Sequence, residues 1–251
     1  MVSQGKRIVI VGATSAIAEH CARLWVTDTE IELILVGRDL DKTERVAADL
    51  RVRNPRATLR VLVADFLEPS AISALVDAVV SAGPVDIVLI AHGALPEQAS
   101  CQNDLRECRD ALTVNAISPV LFAEAFIAPM QQAGHGTLAI MGSVAGDRGR
   151  RSNYVYGAAK GLVTRYAQGL QHRVAGSGVA VVLIKPGPTD TPMTAHLKAQ
   201  GSRLAAVDDV AGQVVEGIAR RAPVVYAPAK WRLIMLVIRH LPRFIFNRMS
   251  I

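Results

Sequence analysis

The sequence predicts an α/β fold, a doubly wound parallel sheet of about seven strands with helices on both faces. Three observations support this prediction. Short apolar runs rich in Val and Ile recur along the chain, segments of helical length and period lie between them, and the two kinds of segment alternate throughout. With 251 residues, 51% of them hydrophobic, the chain can bury one large core, so we expect a single domain.

The predicted strands are runs of apolar, often β-branched residues. In chain order they cover residues 8–11, 31–36, 59–64, 87–91, 137–141, 179–184 and 224–226. Apolar residues spaced three and four apart predict the intervening helices. These cover residues 16–26, 41–51, 71–80, 104–130, 156–174 and 210–221. One domain is therefore expected over residues 1–251, with a basic, apolar C-terminal segment at 228–251.

Positive charge is concentrated near the C-terminus. The net charge is +6, and the chain after Glu216 contains seven Lys and Arg residues and no acidic residue. The rest of the chain is nearly neutral, which disfavours a nucleic-acid-binding domain with a basic reading face. A local basic segment instead indicates attraction to something anionic.

The cysteines and the N-terminus indicate a reduced, cytoplasmic protein. Cys21, Cys101 and Cys108 cannot all pair with each other and lack metal-ligand spacing, so neither a disulfide framework nor a metal site is predicted. The first residues contain no apolar export segment. The longest apolar run near the C-terminus, residues 233–238, is too short to span a bilayer.

The first predicted strand ends in a glycine turn that leads into a helix. Such a turn directs backbone N–H groups and the positive end of the helix toward a phosphate. The candidate cofactor-binding residues in the turn are Gly12, Thr14, Ser15, Ala16 and Ile17. Gly12 permits the tight turn, whereas Ala16 and Ala18 stand where a dinucleotide fingerprint has glycine. The alternative is an ordinary strand-to-helix turn, and this motif alone does not decide between the two.

The end of the second strand favours NADP(H) over NAD(H). A carboxylate that binds both ribose hydroxyls normally stands where this chain has Gly37. Gly37 leaves space for a 2′-phosphate, and the planar guanidinium of Arg38 can hold it. The alternative is that Arg38 is a solvated residue in the first turn of the next helix.

Tyr156 and Lys160 form the most informative pair in the chain. Residues four apart lie on one face of a helix, so the Lys160 ammonium can approach the Tyr156 phenol. A cation there is expected to lower the phenol pKa from its usual value of about 10, so that the phenol exchanges protons near neutral pH. Ser143 follows a predicted strand, at the sheet edge where open α/β folds bind ligands. Without Ser143 and Asn115 upstream, the pair would indicate only an ordinary helix face.

Over nearly its whole length the chain resembles the short-chain dehydrogenase/reductase family, whose members have a Rossmann-like sheet. The resemblance rests on the glycine turn, Asp65 after the third strand, a Pro-Gly motif at 186–191, and the set Asn115, Ser143, Tyr156 and Lys160. It implies an enzyme that interconverts a ketone and a secondary alcohol by hydride transfer. Because family members are usually dimers or tetramers, it also implies a homo-oligomer.

The resemblance implies a role for each matching residue. Tyr156 would be the general acid/base, Ser143 would polarise the substrate carbonyl, and Lys160 would hold the nicotinamide ribose and lower the Tyr156 pKa. Asn115 would position a water that links Lys160 to solvent. The other implied cofactor contacts are Asp65, Phe66, Ala91, His92, Gly93, Pro186, Gly187, Thr189 and Thr191.

The chain departs from the family pattern at the end of the fourth strand as well as at the two alanines of the glycine turn. It has Ala91-His92-Gly93 where the family commonly has Asn-Ala-Gly. His92 either replaces the hydrogen bonds of the missing Asn, contacts the ribose, or is a satisfied histidine in the wall of the site. We expect the last, since a lone His beside a strand end is not by itself a catalytic signal. The alternative function is a non-catalytic nucleotide-binding or scaffold protein of the same fold.

The segment after residue 230 predicts an amphipathic helix that Pro242 stops or kinks. Its apolar stripe is Trp231, Ile234, Met235, Ile238 and Leu241. One interpretation is peripheral contact of residues 230–248 with an anionic lipid surface; the other is packing over the cleft or against another subunit. The segment, together with the turn and Ala-His-Gly, resembles the branch of the decaprenylphosphoryl-2-keto-ribose reductases, which implies an amphiphilic or lipid-linked carbonyl substrate. Residues 192–208 are expected to form a mobile lid.

Overall fold

The strands form one parallel sheet. The computed structural model describes residues 5–28 and 30–249, so residues 1–4, Thr29 and 250–251 of the predicted domain lie outside the described residues. Within the described residues the strands are β1 Lys6–Val11, β2 Ile31–Gly37, β3 Thr58–Val63, β4 Ile87–Ile90, β5 Gly136–Met141, β6 Val179–Pro186 and β7 Val224–Ala227. Their order in the sheet is β3-β2-β1-β4-β5-β6-β7. Every neighbouring pair is parallel, so the predicted doubly wound fold is confirmed.

The helices cover both faces of this sheet. They are α1 Ala16–Trp25, α2 Leu40–Arg53, α3 Pro69–Val80, α4 Gln98–Asn103, α5 Leu105–Leu112, α6 Ser118–Ala133, α7 Tyr154–Arg173, α8 Ala195–Ala199, α9 Val207–Ala219, α10 Trp231–His240 and α11 Arg243–Phe246. The predicted strands and helices are all present, with their ends shifted by a few residues. Helices α4 and α8 were not predicted, because they are too short to show a helical period.

The core lies on both sides of the sheet because alternate residues of a strand face opposite ways. In β1, Val9 and Val11 pack toward α3, α6 and α7, whereas Ile8 and Ile10 pack toward α1, α2 and α9. All four side chains are fully buried. This two-sided burial explains why the strand runs are continuously apolar.

The strand order creates a crevice between β1 and β4. The chain builds outward from β1 through β2 and β3 and then places β4 on the other side of β1. Open α/β sheets bind ligands outside the carboxyl ends of their strands at such a reversal. Gly12 follows β1, and Ala91, His92 and Gly93 follow β4. The candidate cofactor-binding residues therefore border the crevice.

The long helix predicted over residues 104–130 is interrupted. Helix α5 gives way to a single π-helical turn, Thr113–Ile117, before α6 begins, and the buried Asn115 lies in this turn. Such turns insert one extra residue and are frequent at functional sites. The stretch Leu105–Ala133 is long and apolar enough to cross a membrane, but half of its most apolar part is buried in the protein. We interpret it as a core helix.

The C-terminal segment packs one face against the rest of the protein. Met235 is buried, and Trp231 lies against Gly187, where an added Cβ atom would come within 1.9 Å of the indole nitrogen. The predicted apolar stripe is thus largely a packing face. This agrees with the interpretation that the segment packs over the cleft. Helix α10 ends before Pro242 and α11 begins after it, so the predicted break is confirmed.

Arg148 fastens this segment to the loop after β5. Its guanidinium donates hydrogen bonds to the carbonyl oxygens of Ile238 and Leu241, the latter at 2.7 Å. The same guanidinium lies 3.8 Å from the centre of the Phe246 ring. Arg148 therefore satisfies carbonyl groups at the C-terminal end of α10 and also contacts α11.

The wall at the end of β4 is built around His92. Its Nε2 atom lies 2.8 Å from the Ser118 hydroxyl, and its ring packs edge-on against Phe66 at 4.9 Å and Phe122 at 5.6 Å between ring centres. Burial lowers the pKa of His92 to about 3, and the positive charges of Lys160 and Arg38 add to this. The neutral imidazole lies in the wall as expected, but the expectation that it is satisfied is wrong, because its Nδ1 atom is buried without a hydrogen-bond partner among the described residues.

We expect His92 to make the protein less stable in mild acid. The pKa of His92 is about 3 in the folded protein, compared with the ordinary value of 6.5 in an unfolded chain. At any pH between these two values, the unfolded chain therefore binds a proton that the folded protein does not bind. Above this pH range His92 does not change the free energy of unfolding. Within the range, the free energy of unfolding falls by ~1.4 kcal/mol for each unit by which the pH decreases. Urea unfolding at about pH 7.5 and about pH 5.5 should show a larger loss for the wild type than for His92→Asn.

The exposed His196 provides the control, since His196→Asn should keep the pH dependence of the wild type. Equal pH dependence of the wild type and His92→Asn would contradict the assignment of His92 as a residue that stays neutral in the folded protein.

Candidate active site

Two adjoining cavities open along the carboxyl edge of the sheet. The larger, of about 730 Å³, runs from the glycine turn past Arg38 and Phe66. The smaller, of about 150 Å³, is lined by Ser143, Tyr156 and Lys160. The residues that line both are Ser15, Ile17, His92, Gly93, Thr191 and Met193. One cleft therefore joins a space suited to a nucleotide to a cluster of proton-handling side chains.

The glycine turn forms one end of the larger cavity. Gly12 has φ +84°, and an added Cβ atom would lie 2.6 Å from the His92 backbone nitrogen, so only glycine fits between the ends of β1 and β4. The amides of Gly12 and Ala13 both donate to the Val36 carbonyl oxygen. The predicted turn residues that line the cavity are Gly12, Thr14, Ser15, Ala16 and Ile17. Because Ser15 does not cap α1 with its side chain, the helix N-terminus keeps N–H groups for an anion.

Arg38 and Lys42 stand at the far end of the larger cavity. Both line it, and Arg38 is exposed to solvent. The intervening Asp39 caps α2, accepting a hydrogen bond from the Lys42 backbone at 3.0 Å. Sequence reasoning identified Arg38 but missed Lys42, because a lysine in the first turn of a helix carries no distinguishing pattern.

Gly37 has a steric role that the sequence does not show. An added Cβ atom would lie 1.9 Å from the hydroxyl of Thr43, which is completely buried. Any side chain at this position, including the carboxylate typical of NAD(H) sites, would have to displace Thr43. The packing of α2 on β2 therefore excludes an acidic residue here.

Of the two predicted cofactor contacts after β3, only Phe66 lines the cleft. Phe66 is buried and lines the larger cavity together with Leu67. Asp65 is exposed, and its carboxylate accepts a hydrogen bond from the Leu67 backbone at 2.9 Å, so this side chain stabilises the turn. A cofactor contact by Asp65 stays a prediction. Ala91, at the end of β4, lines the smaller cavity.

Ser143 and Tyr156 meet in the smaller cavity. Ser143 precedes a short 3₁₀ turn, Val144–Gly146, and its Oγ atom accepts a hydrogen bond from the Ala145 backbone at 3.1 Å. This bond orients the hydroxyl and leaves its proton for another partner. The side chains of Ser143 and Tyr156 are hydrogen-bonded to each other. Two hydroxyl groups therefore converge where a carbonyl oxygen could accept from both.

The structure corrects the expected acidity of Tyr156. Burial raises the pKa of Tyr156, and the hydrogen bond with Ser143 acts in the opposite direction. The Lys160 ammonium lies 5.9 Å from the centre of the Tyr156 ring and donates a hydrogen bond to the Met141 carbonyl oxygen at 2.9 Å. The prediction that the Tyr156 pKa lies below its usual value is therefore wrong for this structure. The two residues do share a helix face, but burial of the phenol sets the direction of the shift.

Lys160 is a buried cation at the base of the cleft. Its side chain is 2% exposed, and burial lowers its pKa to about 8. At neutral pH it is still mainly protonated. Its distance from water makes its charge effective over several ångströms, since a buried environment screens charges less than solvent does.

The π-helical turn holds Asn115 beside Lys160. Asn115 accepts a hydrogen bond from the Ala94 backbone and donates one to the Ala111 carbonyl oxygen, each at 2.9 Å. An added Cβ atom at Gly93 would lie 2.9 Å from Asn115 Oδ1 and 3.7 Å from Lys160 Nζ. Gly93 thus lies between the two side chains and permits their close approach. The structure brings together the four residues predicted to handle protons.

The Pro-Gly segment closes the side of the cleft beyond β6. The predicted residues that line the smaller cavity here are Pro186, Gly187, Thr189 and Thr191. Thr189 is buried and donates a hydrogen bond to the Gly187 carbonyl oxygen at 2.9 Å. Trp231 covers Gly187 from the C-terminal segment. Sequence reasoning missed this wall contact because it joins residues far apart in the chain.

The expected lid lies over the smaller cavity. Residues 192–208 contain a 3₁₀ turn and α8, and Met193 and Leu197 line the cavity. The mobility of this segment stays a prediction. Arg150 and Asn153 line the same cavity from the loop before α7. Sequence reasoning did not identify them, because this loop has no regular pattern.

A buried ionic network supports the loop that carries Ser143. Lys185 of β6 pairs with Asp147, and the Tyr226 hydroxyl donates a hydrogen bond to the same carboxylate at 2.7 Å. The side chains of Lys185 and Asp147 are only 5% and 2% exposed. Removal of either charge would leave the other buried without a partner, which is strongly destabilising. The network therefore fixes the loop after Ser143 against β6 and β7.

Comparison with known proteins agrees with this geometry. The family model described as short chain dehydrogenase matches residues 6–202. A Streptomyces coelicolor protein described as an uncharacterised oxidoreductase in the mprA 5′ region is 30% identical over 246 residues, 98% of this chain and 96% of that protein.

Solved structures show the same fold. A short-chain dehydrogenase of Burkholderia cenocepacia in complex with NADP has a TM-score of 0.83 at 17% identity, covering 100% of both chains. A short-chain dehydrogenase of Sphingobium yanoikuyae in complex with NADPH has a TM-score of 0.81 at 22% identity, covering 98% of this chain and 96% of the other. The match of most of the sequence to the family model shows that this protein is an oxidoreductase belonging to the short-chain dehydrogenase family.

Proposed function

We propose that the protein is an NADP(H)-dependent reductase that interconverts a ketone and a secondary alcohol. The observation that carries this proposal is the hydrogen-bonded pair of Ser143 and Tyr156, beside the buried Lys160, where the two cavities meet. A nicotinamide bound in this cleft would supply or accept the hydride. The protein residues position the reactants and handle the proton.

The upward shift of the Tyr156 pKa favours reduction of the ketone over oxidation of the alcohol. Burial keeps Tyr156 protonated at neutral pH, so it can donate its proton to the carbonyl oxygen as negative charge develops there. Ser143 donates a hydrogen bond to the same oxygen and stabilises that charge. The Lys160 ammonium, 5.9 Å from the ring centre, stabilises the phenolate that remains on Tyr156.

Two cations at the far end of the larger cavity support NADP(H) as the cofactor. Arg38 offers a planar fork for a 2′-phosphate, and Lys42 adds a second positive charge beside it. The Asp39 carboxylate caps α2 and pairs with Lys42 at 3.5 Å, so it offsets part of the Lys42 charge rather than the charge of Arg38. The similar structures described as complexes with NADP or NADPH support the same cofactor.

We further propose that α10 and α11 rest on an anionic lipid surface, from which an amphiphilic ketone enters the cleft. The side that faces away from the protein carries Leu233, Leu236, Val237 and Phe244, which are 68%, 54%, 61% and 67% exposed. Arg232, Arg239 and Arg243 are exposed among them, and no acidic residue follows Glu216. Apolar side chains surrounded by arginines suit the interface of an anionic bilayer.

The same segment borders the cleft. Trp231, the first residue of α10, lies against Gly187 in the wall of the smaller cavity. A lipid surface that contacts α10 would therefore be close to the place where Ser143 and Tyr156 act. This proximity supports a substrate with an apolar portion.

Tyr156→Phe tests the proposed chemistry. The variant removes the proton donor and keeps the ring, so turnover of NADPH with a panel of ketones should fall by about 10²- to 10⁴-fold. NADPH affinity, measured by its fluorescence on binding, should change little. The exposed Tyr154, two residues away on α7, supplies the control: Tyr154→Phe should keep full turnover. Undiminished turnover in Tyr156→Phe refutes the mechanism, and NADPH binding without turnover in the wild type favours the scaffold alternative.

Arg38→Gln tests the choice of cofactor. Loss of a charge-assisted contact to the 2′-phosphate costs about 1.5–3 kcal/mol, so the Kd for NADPH should rise by about 10- to 100-fold. The Kd for NADH, which lacks this phosphate, should hardly change. Arg51→Gln, an exposed arginine at the other end of α2, is the matched control. If Arg38→Gln weakens the binding of NADPH and of NADH equally, Arg38 does not bind the 2′-phosphate.

Vesicle co-sedimentation tests the lipid surface. The wild type should bind vesicles that contain phosphatidylglycerol more strongly than pure phosphatidylcholine vesicles, and salt should weaken that binding. Leu233→Asp combined with Val237→Asp should reduce it at least about tenfold, because each apolar side chain contributes about 1.5–3 kcal/mol when buried. Val52→Asp, at an 83% exposed site on α2, is the control. Equal binding by the double variant and the wild type would show that another surface, or none, contacts lipid.

A further inference from the structure

The loop before α7 places an arginine in the wall of the smaller cavity. Arg150 and Asn153 line this cavity together with Ser143 and Tyr156. Arg150 does not line the larger cavity, which extends from the glycine turn to Arg38. An anion that Arg150 attracts would therefore belong to a molecule beside Tyr156, rather than to the pyrophosphate or the 2′-phosphate of a cofactor.

Among the described residues that line this cavity, none is a counter-ion for Arg150. The charged residues that line it are Arg150 and Lys160, and no Asp or Glu is among its lining residues. The Nε atom of Arg150 is buried and has no hydrogen-bond partner among the described residues. Burial also lowers the pKa of Arg150. A cation held in this way without an anion is costly, and a bound anion would remove that cost.

The start of α7 adds partial positive charge to this wall, and Asn153 adds a hydrogen-bond acceptor. Helix α7 begins at Tyr154 with no acidic residue in its first turn, and the Asn153 side chain does not cap it. The partial positive charge at the start of this long helix is therefore not neutralised by a carboxylate. The Asn153 Oδ1 atom is itself buried without a partner in the described part of the chain, and it can accept a hydrogen bond from a substrate hydroxyl.

The opposite part of the cavity is apolar. Its lining there includes Leu95, Val144, Met193 and Leu197. A substrate that fits this lining has an apolar portion as well as a charged group. The cavity thus combines a carbonyl site, one cationic corner and an apolar wall.

We propose that Arg150 binds an anionic group, a phosphate or a carboxylate, on the ketone substrate. This inference rests on the proposed function, because it assumes that the carbonyl lies against Ser143 and Tyr156. Arg150 is the residue that selects anionic ketones over neutral ones and orients the carbonyl toward Tyr156. Its guanidinium can form two parallel hydrogen bonds with either oxyanion group.

Paired probes test this proposal without turnover. The full-length protein is saturated with NADP⁺ and titrated by calorimetry with each of four probes. The first pair is levulinate and the neutral methyl propyl ketone. The second pair is dihydroxyacetone phosphate and the neutral dihydroxyacetone. Each pair differs in its anionic group, and the two pairs separate carboxylate from phosphate recognition. We expect at least one anionic probe to bind about tenfold or more tightly than its neutral partner, as a charge-assisted hydrogen bond predicts.

Two variants of Arg150 and one control test whether this residue causes the preference for anionic probes. Arg150→Gln should remove the difference between anionic and neutral probes, whereas Arg150→Lys should keep part of it, since the charge remains. Arg165→Gln, at an exposed arginine of α7 that lines neither cavity, should keep the whole difference. Thermal unfolding of each variant checks that it folds.

Three results would overturn the proposal: equal binding within both pairs, no saturable binding of either anionic probe up to about 10 mM, or an unchanged preference in Arg150→Gln. If the proposed function itself is wrong, the experiments give a different set of results. In that case the wild type would not bind NADPH, or Tyr156→Phe would keep its turnover of neutral and anionic ketones alike.

Discussion

The reversal of strand order between β1 and β4 is the constraint on which the whole site depends. Because the strands are parallel, their carboxyl ends lie along one edge, and residues far apart in the chain meet there. Gly12 follows β1, His92 follows β4, Ser143 follows β5, and Gly187 follows β6. The close approach of Gly12 to the His92 backbone shows how tightly the two central strand ends are joined. Without this reversal the larger and smaller cavities would not form one cleft.

Burial then sets the chemistry of the side chains that reach this edge. It raises the pKa of Tyr156 and lowers the pKa values of Lys160 and His92. In each case burial favours the uncharged form of the side chain. The cleft therefore contains a neutral proton donor, a cation that loses its proton more easily than in water, and a wall histidine that stays neutral. Arg150 experiences the same desolvation without a carboxylate among the residues lining the cavity. This imbalance is the physical basis for expecting an anionic substrate.

The C-terminal segment connects this cleft to the outer surface. Trp231 contacts Gly187 in the cleft wall, and Arg148, five residues beyond Ser143, binds the carbonyl oxygens at the end of α10. The exposed apolar side of α10 and its packed side belong to the same short helix. A contact that shifts α10 would thus be transmitted to both Gly187 and the loop after Ser143. This coupling connects the exposed apolar side of α10 physically to the cleft.

The order of strands and helices and the candidate residues along the carboxyl edge of the sheet were predictable from the sequence, because their signals are local. Apolar runs, helical spacing and the four-residue interval between Tyr156 and Lys160 depend only on neighbours in the chain. The pKa of Tyr156 was not predictable in this way, since it depends on how completely the folded protein surrounds the phenol. The pairing of Lys185 with Asp147 and the cationic corner at Arg150 were likewise decided only by the tertiary structure. Such features arise from burial and from contacts between distant segments, and local sequence patterns contain neither.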